Sequence, residues 1–223
     1  MVAVQDPFEL VIFDCDGVLV DSEELGTRAL LAAAAEIGVT WLFDEAAERF
    51  RGAKMADCVA AIEERLGRPT PSDFVAQARR RMAEAFTREL RAVAGVEAAL
   101  ARIHLVKCVA SSGPKEKIRL SLRLTGLVDY FQDRIFSSYD IDSWKPDPEI
   151  FLHAARTLGV SPSHAAVVED SAVGVRAGIA AGMRVFGFAS GKRGAELAAE
   201  GARVFDHMEV LPGLLGCVRQ RAR

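Results

Sequence analysis

The sequence predicts an α/β fold: a parallel sheet with helices on both faces, interrupted near its start by an all-helical insertion. Three observations carry that expectation. Short apolar runs alternate with helical patterns over most of the 223 residues. Several of these runs end in a polar or acidic residue, and in an open parallel sheet the carboxyl ends of the strands are where ligands bind. One stretch, 22–90, breaks the alternation because it holds helical patterns and no strand.

The elements follow in order. Residues 10–13, Leu-Val-Ile-Phe, form an apolar run too short for a helix and read as a buried strand ending at Asp14. Helical patterns then cover 23–37, from about 53 to 66, and 72–90, with Gly38 and Gly67 as stops and the Arg-Pro-Thr-Pro of 68–71 as a turn or linker. The expected organisation is therefore a sheet core made of 1–21 and 91–223, with a helical module at 22–90. Insertion at a loop tip is tolerated when the ends of the insertion lie close together. The two connections, 17–22 and about 90–95, are the expected hinges. Further strands are expected at 105–110, ending at Ser111, at 165–168, ending at Glu169 and Asp170, and at 184–188. Helices are expected at 115–124, 147–158 and 172–181, stopped by Gly126, Gly159 and Gly182. Gly174, Gly178 and Gly182 recur on one helical face and suit close packing against the sheet. The glycine-rich 187–194 lacks the spacing of a phosphate loop and reads as a surface loop.

Composition sets outer bounds. Half of the residues, 50%, are hydrophobic and 26% are charged, which permits a sizeable globular core. The net charge of −3 gives no basic footprint, so nucleic acid is not an expected partner and a bound anion must be held by a local site. No apolar run has the length of a membrane span, and residues 1–9 have no basic segment of the kind that opens a signal peptide. Cys15, Cys58, Cys108 and Cys217 form no CxxC or Cys/His cluster and read as free thiols, which fits a cytoplasmic location. The sequence does not encode an oligomeric state; a monomer is expected. His104, His153, His164 and His207 are scattered and receive no role.

The chemistry lies at the strand ends. Asp14 and Asp16 are two residues apart, so one carboxylate can attack while the other handles protons, although such pairs also occur in calcium loops and turns. Gly17 allows a sharp turn behind them. Glu169 and Asp170 close a buried run, where two acids need positive charge. Magnesium answers that need, with Asp14, Asp170, the main-chain carbonyl of Asp16 and Glu169 as oxygen ligands. Asp170 or Ser171 can equally cap the helix that follows. Lys145 lies between residues stiffened by Pro146 and Pro148 into an expected extended path, where it can hold phosphate or simply sit on the surface. Ser111 and Ser112, before Gly113, suit either an anion site or an N-cap.

Taken together, these stretches resemble the haloacid dehalogenase superfamily. They are DCDGVLVDSE from Asp14, VASSG at 109–113, WKPDP at 144–148 and VVEDSAVGVRAGIAAGM at 167–183. The resemblance covers nearly the whole chain. It implies a Rossmann-like core with a helical cap inserted after the first motif. It also implies a magnesium-dependent phosphatase that hydrolyses a small phosphorylated metabolite through an aspartyl-phosphate. Asp14 would be the nucleophile and Asp16 the general acid/base; Ser111, Ser112 and Lys145 would bind phosphate; Asp170 and Glu169 would hold magnesium.

Within the superfamily the chain is similar to the group of β-phosphoglucomutases and small sugar-phosphate phosphatases, so the implied substrate is a sugar or sugar-acid phosphate. The mutases carry a histidine shortly after the DSE segment, whereas residues 23–27 here read Glu-Glu-Leu-Gly-Thr. The dehalogenases lack the second aspartate, here Asp16. The phosphonate-cleaving branch needs a Schiff-base lysine in its cap, and Lys54, the one lysine within 22–90, lies in surroundings that do not match it. A non-catalytic binding protein of the same fold is the remaining alternative, and the presence of Asp14, Asp16 and Asp170 argues against it. Arg51 and Lys54 flank the Gly52 segment and are expected either to contact a substrate carboxylate or distal hydroxyls, or to be an exposed pair. Arg79, Arg80 and Arg81 spread around a helix and read as a solvated face.

Overall fold

A computed structural model describes residues 8–189 and 193–217. Among the described residues, six parallel strands form one sheet: β1 (Leu10–Phe13), β2 (Val106–Ser111), β3 (Ile135–Ser137), β4 (Ala165–Glu169), β5 (Arg184–Phe188) and β6 (Arg203–Phe205), in the order β3-β2-β1-β4-β5-β6. The order reverses between β1 and β4, which places a topological switch point at their carboxyl ends.

The helices are α1 (Glu23–Glu36), α2 (Phe43–Phe50), α3 (Met55–Leu66), α4 (Phe74–Glu89), α5 (Val96–Arg102), α6 (Lys115–Leu124), α7 (Val128–Phe131), α8 (Ser138–Ile141), α9 (Glu149–Thr157), α10 (Ala172–Ala180), α11 (Gly194–Ala199) and α12 (Leu211–Leu214). Strand β1 explains why the sheet needs helices on both sides. Its alternate residues Val11 and Phe13 join a core with Leu100, Ile118, Phe131 and Met208, while Leu10 and Ile12 join a second core with Ile150, Phe151, Val175 and Leu197. A strand buried on both faces has no polar position, which is why it reads as an unbroken apolar run. Phe13 meets Phe131 edge-on at 5.9 Å. Truncating either ring to alanine would cost about 3–5 kcal/mol.

Helices α1 to α4 form a separate layer with its own apolar centre, including Leu30, Ala33, Ile62, Phe74 and Ala78. Gly67 ends α3 at φ +73°, as a stop glycine should. The two chain segments that lead into and out of this layer lie side by side. Asp21 N donates to Arg91 O and Val93 N donates to Leu19 O, both at 3.0 Å. Among the described residues no helix is long and apolar enough to cross a membrane. Cys15, Cys58, Cys108 and Cys217 are free thiols.

Several expectations need correction. Strands β3 and β6 and helices α2, α5, α7, α8, α11 and α12 went unread, because most are too short to show a period. In place of an extended path, residues 144–147 form a turn in which Asp147 N donates to Trp144 O at 3.0 Å, and the Lys145–Pro146 peptide is cis. The proposed surface loop is shorter than expected, since Gly187 and Phe188 belong to β5 and Gly194 opens α11; residues 190–192 lie outside the described residues. The glycines of α10 divide by role. A Cβ on Gly178 would meet Val185 at 2.6 Å, as close packing demands, whereas Gly182 has open space around it and ends the helix at φ +73°.

Candidate active site

The carboxyl ends of β1, β2 and β4 converge with the turn before α9 on one cleft of about 430 Å³. Its walls include Asp14, Asp16, Ser111, Ser112, Lys145, Glu169 and Asp170 from the sheet side, and Lys54 from the helical layer. Asp14 continues the sheet, its N–H donating to Val168 O at 3.0 Å.

Lys145 is the hub. Its ammonium donates to Asp14 Oδ1 and Glu169 Oε1, both at 2.6 Å, and to Ala110 O at 3.2 Å, which uses all three of its protons. Burial works against its charge, but Asp14 and Glu169 outweigh burial and leave its pKa above the ordinary value. The surface alternative is excluded, since the side chain is only 3% exposed. Glu169 is held from every side. Its Oε2 accepts from Asp170 N, Ser171 N and Ser171 Oγ at 3.0, 3.1 and 2.9 Å. Gly174 makes room for it, because a Cβ there would stand 2.0 Å from the Glu169 carboxyl.

The capping alternatives resolve. Ser171 Oγ accepts from Gly174 N at 3.2 Å and so caps α10, leaving the Asp170 carboxylate out of the cap. Ser111 is the last residue of β2, and its hydroxyl accepts from Gly113 N at 3.2 Å; α6 starts later, after Pro114, without a side-chain cap.

Negative charge concentrates here. Carboxylate oxygens of Asp14, Glu169 and Asp170 lie within 4.8 Å of one another, and all three residues are buried. Burial, followed by Glu23, Glu169 and Asp14, pushes the Asp170 carboxyl well above the carboxylate range, with Arg193 opposing. Burial likewise raises Asp14 from 3.8 to about 7, against the pull of Lys145. Three hard oxygen donors with one internal cation between them form a donor set that fits a divalent metal. Gly17, at φ +76°, lets the chain pass so close that a Cβ would meet Asp170 Oδ2 at 2.4 Å.

Asp16 lies in a different environment. Ser22 Oγ donates to its Oδ1 at 2.5 Å and Lys117 Nζ to its Oδ2 at 2.7 Å. Burial raises the Asp16 pKa, but Lys117 and Ser22 outweigh it, and the net shift is downward. Lys117 was missed by sequence reasoning. Nothing in Lys115-Glu116-Lys117 distinguishes it from Lys115, which instead pairs with Asp140 at 2.8 Å. The two arginine and lysine candidates of the helical layer also separate. Lys54 lines the cleft, whereas Arg51 is ion-paired with Glu23 and lines a second cleft, between α2 and α10.

Known proteins resemble this chain in sequence and in fold. A family model described as haloacid dehalogenase-like hydrolase matches residues 8–182. The chain is 36% identical over 209 residues to the 6-phosphogluconate phosphatase of Escherichia coli (strain K12), covering 92% of this chain and 94% of that one. Among solved structures it is similar to a conserved haloacid dehalogenase-like protein of unknown function from Agrobacterium tumefaciens, with a TM-score of 0.80, 34% identity, and 94% and 98% of the two chains covered. It is also similar to a HAD family hydrolase from Deinococcus radiodurans solved with phosphate and sodium, with a TM-score of 0.76, 28% identity, and 95% and 98% covered.

Proposed function

The chain belongs to the haloacid dehalogenase-like hydrolase family and is a phosphatase of it, and we propose that it hydrolyses a small sugar or sugar-acid phosphate through a phosphoryl group carried on Asp14. The observation that carries this reading is the contact of Lys145 with both Asp14 and Glu169 at 2.6 Å. A carboxylate held at a strand end by a buried ammonium is aimed and restrained, and the same ammonium can offset charge on an incoming phosphoryl group.

The site supports a balanced two-step sequence. An Asp14 oxygen attacks phosphorus, and the phosphorus bond to the leaving alkoxide breaks. Asp16 in its protonated form supplies the proton that makes the leaving group an alcohol and is left as the carboxylate. Asp16 then takes a proton from water as that water attacks the aspartyl-phosphate, which releases phosphate and restores Asp14. The lowered Asp16 pKa suits the second step, where the carboxylate form is needed. Magnesium is the proposed metal: the carboxylates of Asp14, Glu169 and Asp170 with the Asp16 carbonyl would hold it, and when bound it supplies positive charge that keeps Asp14 ionised and neutralises phosphoryl oxygens. Ser111, Ser112 and Lys145 would hold the phosphoryl group from the sheet side.

Residues 22–90 act in this reading as a cap on a core of 1–21 and 91–223. Leu30, Phe50, Met55 and Met82 from the helical layer complete the cleft wall, so closure would exclude water from the reacting atoms. The name of the Escherichia coli relative makes 6-phosphogluconate the first substrate to try. Among the described residues no histidine lines the cleft, which favours hydrolysis over mutase chemistry. The test is phosphate release, with magnesium, across a panel of phosphorylated sugars, sugar acids and glycolate, with Asp14→Asn as control. Preference for a sugar-acid phosphate, lost in the variant, is expected. Turnover that survives the substitution would rule out Asp14 as the nucleophile.

A further inference from the structure

The cleft holds cations beyond those that serve the phosphoryl group. Lys145 and Lys117 sit among carboxylates at its inner end. Arg79 of α4 and Lys54 at the start of α3 also line it, from the helical layer. Arg79 is exposed, and among the described residues no carboxylate pairs with it. Its guanidinium donates to the Tyr139 hydroxyl at 3.0 Å and lies 5.5 Å from the centre of that ring. Lys54 Nζ lies 5.6 Å from the Trp144 ring, and Tyr139 meets Trp144 edge-on at 5.3 Å. Lys54 Nζ also lies 3.9 Å from Asp57 Oδ1. Arg79 is thus held at the cleft by a neutral aromatic ring that orients it without neutralising it, whereas Lys54 lies over the Trp144 ring and is also loosely paired with Asp57. Arg51 differs, because Glu23 already meets its charge.

Apart from Thr27 and Glu23, whose carboxylate is already paired with Arg51, the rest of the layer's contribution is mainly apolar, from Leu30, Phe50, Met55, Met82 and Phe86. Such a wall offers little to a polar substrate, so recognition of the leaving group falls to the few charges present.

We infer that Arg79, assisted by Lys54, reads a second anionic group on the substrate, so that the preferred substrates are phosphate esters of hydroxy acids whose carboxylate lies away from the phosphate. The inference rests on the phosphatase reading above and adds a specificity-determining residue to it. Guanidinium is suited to the role because its planar fork matches a carboxylate. Tyr139 contributes by fixing the guanidinium before the substrate arrives.

The test compares 6-phosphogluconate with glucitol 6-phosphate, in which a CH₂OH group replaces the carboxylate. The wild type should favour the acid. In Arg79→Gln the ratio of kcat/KM values, acid over alcohol, should fall about tenfold, the size expected for a lost charge-assisted hydrogen bond, and mainly through KM for the acid. Arg79→Lys should restore part of the ratio. If Arg79 only latched the two layers together, Arg79→Gln would slow both esters alike and leave the ratio unchanged, which overturns the inference. A wild type that turns over both esters equally also overturns it, while leaving the phosphatase reading intact. Release of phosphate from neither ester, nor from any other, would remove both.

Discussion

Asp14 should make the metal-free protein less stable than a variant that cannot ionise there. Its carboxyl is raised from 3.8 to about 7, with burial as the largest cause. The sign follows from which form the fold prefers. A raised acid favours the protonated form in the folded chain, so its contribution to stability is complete below about pH 4 and is lost as the pH rises through about 7. At about 1.4 kcal/mol per tenfold change in proton affinity, the span from 3.8 to about 7 amounts to about 4 kcal/mol. That is an upper bound, because water entry and shifts in Glu169 and Asp170 will relieve part of it. Asparagine keeps an oxygen that can accept from Lys145 and removes the charge. Urea unfolding of the wild type and Asp14→Asn in EDTA reads the difference directly. The variant should be the more stable protein at about pH 8, by up to about 4 kcal/mol, with the gap closing towards about pH 4. Added magnesium should then stabilise the wild type more than the variant. A variant less stable than the wild type above neutral pH, in EDTA, would mean that the Lys145–Asp14 pair outweighs burial and would refute the reasoning.

Two further outcomes follow from the same contacts. Gly174→Ala puts a Cβ 2.0 Å from the Glu169 carboxyl, so it should cost about 1–3 kcal/mol and abolish most phosphate release, whereas Gly182→Ala, strained only by its positive φ, should cost about 1 kcal/mol and keep kcat/KM; thermal melts and turnover of both variants check the contrast. Lys117→Met should lower kcat about a hundredfold and move the acid limb of the kcat–pH profile to higher pH, because burial of Asp16 is then opposed only by Ser22 and Lys145; an unmoved limb would disconnect Lys117 from that carboxylate.

What the sequence revealed, and what it hid, has a physical basis. Leu10–Phe13 and Ala165–Glu169 were legible because a parallel strand covered on both faces has no place for a polar side chain until it ends. The acids at those ends therefore stood out against apolar runs, and the switch-point rule brought them together. Ile135–Ser137 and Arg203–Phe205 were not legible, since three residues at each sheet edge carry no period. Residues 43–50 carried about two amphipathic turns of helix that were passed over between longer neighbours. Side-chain pairing was the least legible feature. Arg51 finds Glu23 at a separation of 28 residues, and Lys117 finds Asp16 at a separation of 101. The placement of α6 in the packed fold decides which of two nearby lysines reaches the site.

The central claim is that phosphate passes through Asp14. It is tested most directly by mixing the enzyme with magnesium and excess 6-phosphogluconate, quenching in acid within a turnover, and mapping peptides by mass. The account predicts a single phosphoryl group on the peptide that contains Asp14, absent from Asp14→Asn. Steady release of phosphate with no phosphorylated peptide at any quench time, or with the group on another residue, would contradict it.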